Sequence, residues 1–99
     1  MTDWLDTSQE TPDTALPRPA QALWWLKKGG YRVGPEWERA HALCQEGEGD
    51  LDHDRVHALS HWIEGDMGNA GYWYRRIGET RAADISTEAQ RIASEIAHS

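Results

Sequence analysis

The stretch Glu64-Gly65-Asp66-Met67-Gly68-Asn69-Ala70-Gly71-Tyr72-Trp73-Tyr74-Arg75-Arg76 reads as the end of one helix, a glycine turn and the start of a second helix. Gly65 stops the first helix. Asp66 stands where its carboxylate can accept a backbone N–H of the next helix. Ala70, Trp73, Tyr74 and Ile77 then recur at i, i+3, i+4 and i+7, one face of a helix that Gly78 ends. Immediately upstream, Val56, Leu59 and Ile63 form the apolar stripe of a helix over about 52–64, with Trp62 on its margin. The pair is a helical hairpin, and it sets the class as all-α.

Working outward, a helix over about 35–46 begins with Pro35 in the first turn and Glu36 at the positive end of the dipole. It carries Trp37, Ala40 and Cys44 along one stripe. A helix over about 19–28 brings Leu23, Leu26 and a Trp inward and stops at Gly29-Gly30. On the C-terminal side, Ile85, Ala89, Ile92 and Ile96 give an amphipathic helix over about 85–97, opening after Asp84 or Ser86. No segment alternates with period two or is enriched in β-branched residues as a strand would be. Residues 1–17 are polar, acidic and interrupted by Pro12 and Pro17. They are expected to form a mobile tail in which Trp4 and Leu5 are the docking residues, leaving 18–99 as a single helical domain.

The first two helices with their glycine turn faintly repeat the third and fourth, with Ala40 corresponding to Ala70. Two stacked hairpins plus a terminal helix that covers the end of the stack follow from this. Gly65-Asp66, Ala70 and Tyr74 resemble the middle of a tetratricopeptide repeat, in which a small residue lets paired helices approach and an aromatic packs between them. Trp73-Tyr74 with Arg76 is also similar to the related Sel-type repeats. The chain departs from the repeat at Ala58 and His61, where that family usually has Gly and Tyr. A closer resemblance is to a family of small, uncharacterised, mostly bacterial proteins with the pattern His-x-x-x-His-x-x-Glu-Gly-Asp-x-x-Asn-Ala-x-Tyr-Trp-Tyr-Arg-Arg. Here it falls on His57, His61, Glu64 to Asp66, Asn69, Ala70 and Tyr72 to Arg76, with Trp37, Ala40 and His41 matching an upstream element. Trp62 and Ile77 depart from it. This resemblance implies architecture and no catalytic role.

The composition narrows the function. Ninety-nine residues, 38% of them hydrophobic, fit one small domain. Roughly 80 residues for a core is marginal for a monomer, so self-association is expected. A formal charge of −7 without a Lys/Arg stripe argues against nucleic-acid binding. The apolar run Ala22 to Leu26 is too short to cross a bilayer, and the N-terminus lacks a secretory signal. A lone Cys44 fits the cytoplasm and, on an apolar stripe, reads as a core residue rather than a nucleophile. Six Trp and three Tyr with no Phe imply a partly polar core, with Trp62 and Tyr72 the rings best placed to line a groove.

The remaining polar residues carry whatever chemistry there is. His53, His57 and His61 lie four apart and Glu64 follows three later, together spanning about 80° of helix. That stripe is centred roughly 125° from the Val56/Leu59/Ile63 stripe, so the two do not share a buried face. A His pair at i, i+4 can grip a metal such as zinc, with Glu64 or His41 from the neighbouring helix as a third ligand. The plain alternative is a solvated polar face, or imidazoles hydrogen-bonded to the next helix. His41 falls within the Trp37/Ala40/Cys44 stripe and is expected to point inward. Arg75 and Arg76, with Tyr72 and Asn69 nearby, can clamp a phosphate or carboxylate, although cations in a helix's last turn are favoured without any ligand. Asp50, Asp52 and Asp54 imitate a calcium loop, but Arg55 and His61 stand where it requires Gly and a bidentate acid, which excludes calcium.

The first expectation is therefore a non-catalytic binding or scaffolding protein. It would present His57, His61, Glu64, Asn69, Tyr72 and Arg76 to a protein partner or to a second copy of itself. The alternative is a small-ligand or metal-binding protein, possibly a hydrolase, built on His41, His57, His61 and Glu64. Convergence of those four side chains would favour the second reading, and a splayed convex arrangement the first.

Overall fold

The computed structural model describes residues 4–97; residues 1–3 of the expected N-terminal tail, and residues 98 and 99, lie outside the described residues. Five helices follow one another: α1 (Arg18–Lys28), α2 (Pro35–Glu46), α3 (Leu51–Ile63), α4 (Met67–Ile77) and α5 (Ile85–Ala97). Each lies within a residue of the bounds the sequence suggests. The start signals are the expected ones. Asp50, Asp66 and Asp84 cap α3, α4 and α5 by accepting the backbone N–H of His53, Asn69 and Thr87 at 3.2, 3.1 and 2.8 Å. Gly65 and Gly78 take φ +82° and +71°, the left-handed turn that a side chain would strain.

α1 pairs with α2 and α3 with α4, giving the two helical hairpins. α3 is the hub, touching α1, α2, α4 and α5, while α5 closes over α1 and α3. The main core gathers Leu23, Leu26, Trp37, Ala40, Cys44, Val56, Leu59, Ala89 and Ile92, and a smaller cluster packs Ala58 against Trp73 and Tyr74. Cys44 is a buried core residue, and its thiol is pushed well above its ordinary value by burial and by the nearby Asp54 charge.

The hub position corrects one expectation. The His stripe does lie away from the Val56/Leu59 stripe, but its middle is not solvated: residues 54–61 of α3 are all buried, while His53 is half-buried and Glu64 exposed. A helix in the middle of a domain buries opposite faces against different neighbours. Here Val56 and Leu59 face the main core, whereas His57 and His61 face α2 and α4.

Residues 4–17 lie against α1. Leu5 is 2% exposed within the core. Its carbonyl accepts Lys27 Nζ at 2.8 Å, the Asp6 carbonyl accepts the Trp24 indole N–H at 3.0 Å, and the Thr7 carbonyl accepts Lys28 Nζ at 3.0 Å. Among the described residues no helix is long and apolar enough to cross a membrane.

Candidate metal centre

His57 and His61 project from consecutive turns of α3, and the 3.6-residue period places their rings one above the other. The rings stack at 4.8 Å between centroids with planes 28° apart. His41 reaches them edge-on from α2, 5.0 Å from His57 and 5.5 Å from His61, with interplanar angles of 74° and 78°. One ring nitrogen from each of the three lies within 4.8 Å of the others. Stacked imidazoles met edge-on by a third ring can aim their nitrogens at a common point, so this cluster is placed to hold a metal ion.

The packing around the trio fixes its geometry. Trp37, one turn before His41 in α2, lies parallel to the His41 ring at 4.8 Å. Its indole N–H donates to the Ser60 carbonyl of α3 at 2.8 Å, which holds α2 and α3 in register beside the imidazoles. Trp73 of α4 covers His57 at 4.4 Å, and Arg76 lies 5.1 Å over that indole. The hydroxyl of Ser60 donates to the His57 carbonyl at 2.6 Å.

Burial sets the protonation state. His57 is 3% exposed and His61 8%, while His41 is half-buried. Burial, with His61 and His41 nearby, lowers the His57 pKa to about 4, so the ring is neutral at pH 7 and carries a lone pair. His41 is lowered as well, by burial first and then by His61. Nδ1 of His57 is buried and has no hydrogen-bond partner. Such an atom is costly unless something supplies a partner.

Glu64 takes a different place from the one the sequence suggests. Its Oε1 lies 2.9 Å from Nδ1 of His61, so the carboxylate orients an imidazole. With Nδ1–H donating to Glu64, the lone pair of His61 sits on Nε2, the carboxylate–histidine pairing common behind metal ligands. His53 turns away and pairs with Asp50 at 2.7 Å. A second carboxylate-bearing group, His61 with Glu64 and Asp66, adjoins the first at the exposed end of α3.

The residues expected to join the site from α4 do not converge on it. Asn69 is exposed and its side chain donates to Asp66 at 2.9 Å, completing the cap. Tyr72 is 48% exposed, and its hydroxyl accepts from Arg76 at 3.2 Å on the outer surface. Trp62 is half-buried beneath Arg81, 4.3 Å over its ring. A groove of about 660 Å³ runs between residues 4–16 and Trp24, and none of the predicted site residues lines it.

Sequence reasoning overlooked Trp37 and Trp73 as walls of the centre. Their place at i−4 from His41 and i+4 from Asn69 is visible in the sequence, but the partner across the helix interface is not. No protein-family model, no curated protein and no solved structure matches this chain.

Proposed function

We propose that this chain is a metal-binding helical protein, with a transition-metal ion such as zinc held between α2 and α3 by His41, His57 and His61. One observation carries the reading: three imidazoles from two helices bring a ring nitrogen each to within 4.8 Å of one another, around a His57 whose Nδ1 is buried and unpartnered. Nitrogen-only donors suit zinc, copper, nickel or cobalt and disfavour magnesium and calcium. In a tetrahedral site with metal–nitrogen bonds of about 2.0–2.1 Å the donors stand about 3.3 Å apart, so the rings need only draw together by small rotations. Glu64 acts behind His61, orienting its ring through the 2.9 Å contact to Nδ1. The convergence favours this reading over presentation of the same residues to a protein partner.

The test is thermal unfolding of the metal-free chain with and without zinc. Zinc at about 100 times its Kd stabilises a one-site protein by ~2.7 kcal/mol, which in a domain of this size raises Tm by roughly 10–20 °C. The increment should vanish in His41→Ala and His61→Ala. Magnesium should give none. A wild-type Tm unmoved by zinc, copper, nickel and cobalt would end the proposal.

A further inference from the structure

We infer that the ion in this centre keeps a fourth coordination position open to an exchangeable water or small monodentate anion; the inference rests on the metal-binding reading above. The donor count is the first argument. The metal-compatible group at the centre has three members, all imidazoles, and a transition metal of this kind takes at least four ligands.

Three donor groups close to the trio in sequence are committed elsewhere. Glu64 Oε1 lies 2.9 Å from Nδ1 of His61, which leaves Nε2 of that ring for the ion. Both oxygens of Asp66 are held by Asn69, at 3.1 Å from its backbone nitrogen and 2.9 Å from its side chain. Cys44 lies one turn beyond His41 but packs in the main apolar core, and burial keeps its thiol protonated.

The second argument is access. His57 and His61 are buried, with Trp73 against the former, whereas His41 is half-buried and is backed on one face by Trp37. The ion is thus screened by indoles on its flanks and approached past the His41 edge. Closed structural sites complete their coordination from the protein; sites with three protein ligands and a solvent-facing fourth hold water, made more acidic by the metal, or an anion that replaces it.

The experiment uses the full chain loaded with cobalt(II), whose visible bands report coordination, and titrates it with azide. A saturable shift in the position and intensity of those bands supports the open position. Bands present but unmoved by azide overturn it while leaving the metal reading intact. A near-ultraviolet thiolate-to-cobalt band that disappears in Cys44→Ser also overturns it, by naming a protein fourth ligand. Absence of any protein-dependent cobalt spectrum overturns the metal reading and this inference together.

Discussion

Trp37 donates its indole N–H to the carbonyl of Ser60, 2.8 Å away across the α2–α3 interface, while its ring lies flat against His41. One side chain thereby fixes how α2 sits on α3 and where His41 points. In Trp37→Phe the stacking partner is smaller and the donor is gone, although the Ser60 carbonyl keeps the backbone N–H of Glu64 at 3.2 Å. The expected loss is about 1–2 kcal/mol, of which the hydrogen bond supplies about 1. Zinc affinity should fall alongside, because His41 loses the surface that orients it. Urea unfolding and zinc titration of the same preparation check both, and an unchanged midpoint would show that the indole does not hold the interface.

His57 makes the metal-free fold acid-sensitive in a defined window. Its ring ionises at about 4 when folded, against about 6.5 in an unfolded chain. Between these values the unfolded state binds more protons, so stability falls as pH drops from 6.5 toward 4 and is level above 6.5. Urea midpoints with chelator present, measured at pH 7.5, 6 and 5, should decline for wild type. They should decline less for His57→Gln, which has no proton to take up. Parallel profiles for the two proteins would remove His57 from the cause.

A second buried polar cluster responds at lower pH. Glu88 is fully buried in α5, where its Oε2 accepts the Tyr74 hydroxyl at 2.7 Å and its Oε1 accepts the backbone N–H of Ala82 at 2.9 Å. Arg91 adds two further bonds at 2.8 Å. Burial alone works to raise its pKa, but the hydrogen bonds from Arg91, Ala82 and Tyr74 outweigh it and hold the carboxyl below its ordinary value. Its contribution is thus present above the unfolded carboxyl pKa of about 4.3 and is lost as pH falls through the lower folded value. Tyr74→Phe should cost about 1–2 kcal/mol at pH 7, and Glu88→Ala about 3 or more because it strands the phenol and leaves the Arg91 guanidinium with Glu79 alone. Chemical denaturation of both single variants and the double variant gives the coupling directly. Strictly additive losses would mean the two groups do not act as a pair.

The hairpin was legible because its signals are local. Pro35, Asp66, Gly65 and Gly78 each act within a turn of their own position, and the i, i+3, i+4 spacing of Ala70, Trp73 and Tyr74 needs no knowledge of the partner. The i, i+4 register that stacks His57 on His61 was legible for the same reason. Whether their face is buried was not, since that depends on α2 and α4 closing on a helix that already has one apolar face on the core. Glu88 shows the limit most sharply. In sequence it is an acid in the first turn of a helix, favoured there by the dipole, and only Tyr74 and Ala82, 14 and 6 residues upstream, make it an interior group.

Residues 4–17 are the part of the chain where composition speaks least about packing. The segment is acidic and carries two prolines, yet Leu5 fills a place in the main core and three carbonyls, of Leu5, Asp6 and Thr7, accept from α1. Leu5→Ala should therefore destabilise the domain by about 3 kcal/mol, the cost of a cavity at a buried leucine. In a domain of this size that lowers Tm by roughly 10–20 °C. Lys27→Met should add a smaller loss, because it removes one donor and leaves the Leu5 carbonyl less well satisfied. Calorimetry of the full chain separates the alternatives: a docked arm gives the large drop at Leu5, while a segment that only trails from α1 gives none, because an alanine there vacates no space.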